Sequence, residues 1–344
     1  MLGSDQTFLD RLKVKLAGRA AAKHVRESFK HVCGPSLTKL ADDEVALVLL
    51  GRDVGYFLDY HIRYHLALGV SHIVYVDNGS SDASVEIASR FPNVTVAICS
   101  ANFRIHQGRM RHYANTCFLS GGWRLAIDPD ELFDYPQSDR IDLPELTRRM
   151  ASRGHTALVG QMLDMVRSGS LVELPGDGFE QAIKQFNRYS LENITAEPYH
   201  GSSIPWHWYL DQNEISSPDI EVLFGGVRRA AFGENCCLTK HPLFRMQKGV
   251  TPQPHPHVTT GVKCTDFSAV LKHYKFAGGI LDRERKLLNE NRISHREMRL
   301  RVEKLDSEPD LDLNQFAPCQ DATVSKLLDQ GFLKASDAAL EMLS

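Results

Sequence analysis

Between residues 45 and 127 the chain alternates four apolar runs with stretches whose apolar residues recur at helical spacing. Val45 to Leu50 is continuously apolar. From Asp53 to Leu68 the apolar and aromatic positions are Phe57, Tyr60, Tyr64 and Leu68, and Gly69 supplies a stop. Ile73-Val74-Tyr75-Val76 follows, then a helix from Ser81 or Asp82 with Val85, Ala88 and Phe91 on one face. Val94 to Ile98 is a third run, a third helix is expected over 107–120, and Trp123 opens the fourth run. Short apolar runs bounded by turn residues read as strands buried on both faces. Their alternation with helices implies an α/β fold with a Rossmann-like, mostly parallel sheet flanked by helices. In such sheets ligands collect at the carboxyl ends of the strands. Those ends carry charge here: Arg52-Asp53, Asp77-Asn78 and Asp128-Pro129-Asp130-Glu131.

The fourth run changes character abruptly. Trp123-Arg124-Leu125-Ala126-Ile127 has the residues of a buried strand, and the carboxylates of Asp128, Asp130 and Glu131 follow at once. In an extended backbone Asp128 and Asp130 leave the same face, while Pro129 discourages further sheet pairing. Clustered carboxylates repel unless a cation sits between them. Hard oxygen donors suit Mg²⁺ or Mn²⁺, which take one or two protein carboxylates and fill the other positions with water and phosphate. A solvated acidic turn explains an Asp-x-Asp seen alone; a place at the end of a fourth strand, after Asp77 at an earlier one, favours a metal site. Glu131 is expected behind the ligands or as a cap of the turn.

Composition bounds the rest. A net charge of −3 gives no reason to expect nucleic acid as a partner. Seven cysteines without C-x-x-C spacing show no disulfide framework or zinc knuckle. No apolar run reaches the roughly 18–20 residues of a membrane span, and the N-terminus lacks the apolar core of a signal peptide. A cytoplasmic protein is expected. Residues 7–32 read as a basic helix, expected to pack on the main domain, with peripheral contact at the inner face of the membrane as the alternative. Further on, 156–166 reads as a strand, 168–178 as a Gly-rich loop, 222–229 as a strand or hairpin, 252–257 as a loop, 267–276 as a strand and 281–305 as a long charged helix.

Val76-Asp77-Asn78-Gly79-Ser80-Ser81-Asp82, followed by Asp128-Pro129-Asp130-Glu131-Leu132-Phe133, resembles the family 2-like glycosyltransferases with a GT-A fold. The branch is the one whose acidic motif reads D-x-D-E, and the chain is also similar to the family 92 enzymes. Tyr60 to Val70, Gly225-Gly226-Val227-Arg228-Arg229, Lys240-His241-Pro242-Leu243 and His273-Tyr274-Lys275 fit the same branch. The resemblance covers about 45–280. It implies a catalytic domain over 41–280 with a nucleotide-binding half (45–135) and a mixed acceptor half (136–280), while the residues themselves lead us to expect a basic helical extension over 1–40 and a helical extension over 281–344.

The resemblance also implies roles. Asp77 would contact the nucleotide base, and Asp128 and Asp130 would hold Mn²⁺ or Mg²⁺ on the diphosphate of a nucleotide-sugar, a UDP-sugar being favoured. Arg52 and Arg111 would reach its phosphates, Arg109 less so. A late histidine often completes the metal shell; His273 is the first choice, because a strand fixes its ring, and His257 the second. A divalent cation stabilises the departing diphosphate as a Lewis acid. Inverting transfer needs a base for the acceptor hydroxyl, and Asp219 and Glu221 stand where one is expected, although the family's acidic dipeptide is missing. Trp206, His207 and Trp208 would offer sugars an aromatic platform. The expected activity is sugar transfer to a glycan or lipid-linked acceptor, such as a glycolipid, in surface polysaccharide or glycolipid synthesis. The alternatives are a nucleotidyltransferase on a related fold and a non-catalytic module that binds a membrane or partner.

Overall fold

The apolar runs pair as parallel strands in a computed structural model that describes residues 8–171, 178–290 and 296–344. In chain order the principal elements begin with α1 (Phe8–Glu27), β1 (Phe29–Cys33), β2 (Val45–Gly51), α2 (Gly55–Ala67) and β3 (His72–Asp77). There follow α3 (Ser84–Ser89), β4 (Val94–Cys99), α4 (Phe103–Cys117), β5 (Trp123–Ala126), β6 (Glu131–Asp134) and β7 (Ala157–Asp164). The later ones are β8 (Ile194–Pro198), β9 (Glu221–Gly225), α5 (Val227–Phe232), β10 (Thr239–Arg245), β11 (Thr251–His255), β12 (Val258–Thr260), β13 (Lys263–His273), α6 (Ile280–Asn289) and α7 (Arg296–Ser307).

The main sheet runs β1-β4-β3-β2-β5-β10-β7-β13, with Glu214–Ile215 beyond β13. Strands β4, β3, β2 and β5 are mutually parallel, and so are β7 and β13. Strand β10 lies antiparallel between β5 and β7, and β1 closes one edge antiparallel to β4. The central strand shows why the runs are continuous. Val45, Leu47 and Leu49 pack with Phe57, Leu58 and Ile62 of α2 on one face, while Ala46, Val48 and Leu50 pack with Met110 and Ala114 of α4 on the other. With both faces covered, neither can be polar.

Several boundaries differ from expectation. The basic helix ends at Glu27, and Phe29–Cys33, part of the stretch read as an extension, joins the sheet. Strand β9 gives way to helix α5 after Gly226, where a hairpin was an option. The Pro/His segment read as a loop is the hairpin β11–β12. The long charged helix is two helices, α6 and α7; part of the Gly-rich loop, 172–177, lies outside the described residues. None of the seven cysteines is paired, and among the described residues no helix is long and apolar enough to cross a membrane.

Candidate functional site

Strands β2, β3, β5, β7 and β13 all point the same way, so Arg52, Asp77, Asp128, Asp164 and His273 emerge at one end of the sheet. Because β10 is reversed, its first residues arrive at that same end. Leu243 pairs with Leu125. Three residues back along β10, Lys240 is therefore level with Asp128, three residues on.

Residues 128–131 form a turn, closed by the Glu131 N–H donating to the Asp128 carbonyl at 3.0 Å. The expectation that Asp128 and Asp130 share one face of an extended strand fails for this reason. The turn sends them to different partners. Glu131 folds back to accept the Asp128 N–H at 3.0 Å, and β6 then pairs antiparallel with β13, placing Glu131 opposite His273. The Tyr274 N–H donates to the Asp130 carbonyl at 2.8 Å, which ties the end of β13 to the turn.

Asp128 and Glu131 share a buried ammonium. Lys240 Nζ donates to Asp128 Oδ2 at 2.7 Å and to Glu131 Oε1 at 2.5 Å, and its side chain is only 5% exposed. Arg111 of α4 takes the other Asp128 oxygen at 3.2 Å. Burial by itself would raise the Asp128 carboxyl, but Lys240 and Arg111 outweigh it and hold Asp128 well below the ordinary carboxylate range. For Glu131 burial prevails over Lys240 and pushes the carboxyl up. Lys240 stays charged because the two acids overcome the desolvation of its ammonium.

Asp130 faces His273 instead, with Nε2 3.6 Å from Oδ2. The other ring nitrogen, Nδ1, donates to Asp164 Oδ1 at 2.7 Å, and Arg228 Nε bonds Asp164 Oδ2 at 2.8 Å. Burial disfavours the imidazolium, yet the flanking carboxylates of Asp130 and Asp164 raise the His273 pKa. A carboxylate fixing Nδ1 and turning Nε2 toward a second carboxylate is how proteins orient a metal-binding histidine. Among the described residues no group of three or more His, Cys, Asp or Glu side chains is placed to hold a metal ion. Asp130 and His273 stand as a pair, without a third such side chain placed to complete a metal shell among the described residues. The set of Asp128, Asp130 and His273 expected together is not assembled, because Lys240 and Arg111 hold Asp128.

Beside Asp130 lies a cavity of about 170 Å³, walled by the basic Arg52, Lys275, Arg283 and Lys286 and the acidic Asp53 and Glu290, with Phe57 and Leu287 as its apolar side. Arg283 donates to the carbonyls of Lys275, Ala277 and Gly278 and stacks its guanidinium 5.2 Å from the centre of the Phe57 ring. Those hydrogen-bond partners are neutral, and the carboxylates of Asp130 and Glu284 supply the negative charge that acts on it. Lys286 Nζ bonds Asp53 Oδ2 at 2.7 Å and Ser81 Oγ at 3.1 Å. Arg52 pairs with Glu290 at 3.2 Å.

Other expected site residues are placed differently. Asp77 is 1% exposed and its carboxylate is fully used. Oδ2 accepts the N–H groups of Gly79 and Ser80, and Oδ1 accepts the hydroxyls of Tyr75 and Ser80. It organises the turn after β3 instead of meeting a base. Asp219 and Glu221 line a separate cavity of about 270 Å³ with Gln161, Gln330 and Lys334, and what their segment brings to the site is Arg228, beyond Gly226. His257 bonds the Thr239 carbonyl at 3.0 Å, leaving His273 as the histidine at Asp130. Trp206 stacks on His255 with ring centres 4.3 Å apart, whereas His207 pairs with Asp211 and Trp208 is 51% exposed. Arg109 is exposed on α4. Sequence reasoning assigned no role to Asp164, Arg228, Lys240, Lys275, Arg283 or Lys286. The motifs Gly225–Arg229, Lys240–Leu243 and His273–Lys275 contained the signal for three of the six.

No family model matches this chain, and no curated protein matches it either. Among solved structures it is similar to the crystal structure of 4-diphosphocytidyl-2C-methyl-D-erythritol synthase, at 14% identity and a TM-score of 0.24, over 41% of this chain and 68% of that one. An overlap this slight adds nothing to what the sheet order already establishes.

Proposed function

We propose that the chain is a nucleotide-sugar-dependent glycosyltransferase of the family 2-like kind, with a UDP-sugar as the favoured donor and a glycan or glycolipid as acceptor. The observation that carries this reading is the Asp130–His273 pair beside a cation-lined cavity, at the carboxyl ends of the parallel strands. A leaving nucleoside diphosphate gathers negative charge, and preorganised cations at that point lower the barrier. Arg283, Lys275, Arg52 and Lys286, which line this cavity, would take that role. Asp130 and His273 would hold Mn²⁺ or Mg²⁺, which supplies Lewis-acid stabilisation of the diphosphate when bound. Asp164 and Arg228 keep the His273 ring aimed at Asp130. The Trp206–His255 stack offers an apolar face for an acceptor sugar. Contact of α1 with an anionic membrane surface belongs to the same proposal: Lys13, Lys15, Arg19 and Lys23 are exposed, as is Leu16 at 53%.

Thermal shift with UDP-, GDP- and CMP-compounds, with and without Mn²⁺, tests the reading. One nucleoside diphosphate is expected to raise Tm, and Asp130→Ala to abolish the rise. Products then separate the enzyme classes: release of a nucleoside diphosphate supports glycosyl transfer, whereas release of pyrophosphate identifies a nucleotidyltransferase. Silence with every nucleotide under every metal condition would sink the proposal.

A further inference from the structure

Arg283 and Lys275 line the cavity beside Asp130, whereas Glu284, next to Arg283 on α6, is 2% exposed and does not. A carboxylate this buried needs balancing charge. Two cations are at hand. Arg301 of α7 takes both Glu284 oxygens, its Nε donating at 3.1 and 3.0 Å and its Nη2 at 2.7 Å. Lys275 Nζ stands 3.7 Å from Glu284 Oε1, beyond hydrogen-bond distance. Arg301 is itself 4% exposed, and its remaining nitrogen, Nη1, donates to Glu234 Oε1 at 2.5 Å. Burial pushes the Glu234 carboxyl up despite Arg301 and Arg228, so Glu284 is the anion that Arg301 chiefly balances. Lys275 has a second anion within electrostatic reach, Asp130 at the cavity. Its ammonium therefore has two places to go.

We infer that Arg301 is a positioning residue for the cavity: by saturating Glu284 it keeps the Lys275 ammonium where the phosphates of a nucleotide would meet it. No residue of α7 lines the cavity, so Arg301 acts only through Glu284 and Lys275. Without the guanidinium, Glu284 is a buried carboxylate with Lys275 already 3.7 Å away, and the cost of leaving it unpaired draws Lys275 in. The cavity then loses one of its basic side chains. The inference rests on the proposed function for the identity of the bound anion; the place of Lys275 does not depend on it.

Calorimetric titration of the full chain with sodium pyrophosphate, and crystals of the same proteins grown without it, test the inference. Arg301→Gln should bind pyrophosphate about tenfold more weakly than wild type, the loss of one charge-assisted contact. Its crystals should show Lys275 Nζ within about 3.2 Å of a Glu284 oxygen. Adding Glu284→Gln should restore wild-type affinity, because no carboxylate then draws Lys275 away. A role limited to packing predicts the opposite, since the double variant loses more of the buried contacts than the single one. If Arg301→Gln does not fold, the double variant, which removes both buried charges together, carries the test: it should bind as wild type does, with Lys275 Nζ beyond hydrogen-bond reach of residue 284. A folded Arg301→Gln protein with Lys275 still at its wild-type separation overturns the inference. So does a double variant that binds more weakly than wild type or seats Lys275 on residue 284. A wild-type chain that binds neither pyrophosphate nor any nucleotide removes the proposed function, and the place of Lys275 in the crystals then decides the inference alone.

Discussion

Asp77 shows how a residue can satisfy a sequence pattern and still do something else. A carboxylate at the end of an apolar run is a good place to meet a ligand, but here two backbone N–H groups and two hydroxyls take both oxygens. Asp77→Asn would turn an NH₂ toward donors that need an acceptor. The expected cost is about 1–3 kcal/mol of stability, read by urea denaturation, with nucleotide affinity of the folded fraction little changed. A stable variant with affinity lost would restore the base contact. Asp164 calls for a larger effect. Its removal strands the guanidinium of Arg228, which is 7% exposed, and frees the His273 ring. Asp164→Ala should cost about 3–5 kcal/mol, whereas Asp164→Asn, which keeps shape and one acceptor, should cost less; equal losses would show that charge compensation is not what Asp164 provides. None of this was legible locally. Asp128 and Asp130 announce themselves because charge follows an apolar run, but their partners Lys240 and His273 lie more than a hundred residues away, and no local period encodes which strand is reversed to bring Lys240 in.

At the scale of elements, the apolar runs and their order were readable because a strand buried on both faces must be continuously apolar. Strand β1 was missed for the opposite reason. As an edge strand it has residues at only intermediate or full exposure, so Phe29-Lys30-His31-Val32-Cys33 merges with the basic helix before it. The helices past 280 were expected as an appendage, yet α6 supplies Arg283 and Lys286 to the cavity at Asp130. The turn from Tyr274 to Gly279 therefore belongs to the site. Gly278 holds φ at +66°, and a Cβ there would stand 2.6 Å from the Tyr56 ring. Its carbonyl, with those of Lys275 and Ala277, holds Arg283. Gly278→Ala combines a backbone strain of order 1–3 kcal/mol with a clash, so it should lower Tm and weaken nucleotide binding together. A variant with lowered Tm and wild-type binding would contradict the coupling between turn and cavity. For α1, deletion of residues 1–27 leaves β1 in the sheet. The shortened protein should stay folded by circular dichroism and be released from anionic vesicles; unchanged partitioning would remove membrane contact from the proposal.

Across the whole molecule, buried histidines link stability to pH. His61 is fully buried and bonds the Glu131 carbonyl, and burial lowers its pKa to about 4 despite that bond. His241, 3% exposed, is lowered to about 4 for the same reason, and burial beside His61 takes His65 well below the usual range. In the unfolded chain these rings titrate near pH 6.5. Between pH 6.5 and 4 the unfolded state therefore binds more protons than the folded one, so stability falls as pH falls through that window. His273 acts in the opposite direction: its raised pKa gives a contribution that is fully present below about pH 6.5 and lost as pH rises through the raised value. Burial also lowers His72, His106, His112, His155, His255 and His257, so the lowered histidines outweigh the raised one. The slope per histidine cannot exceed about 1.4 kcal/mol per pH unit, so the histidine balance should amount to a few kcal/mol between pH 6.5 and 5. Urea denaturation at half-unit intervals should show the midpoint dropping across this range. His241→Gln, which removes one titrating ring, should show a shallower slope whatever its stability at pH 7.5. A midpoint that stays level or rises from pH 6.5 to 5 would mean that these rings are reached by water and protons in the folded state, against the packing of α2 on β6 and of β10 on the β11–β12 hairpin.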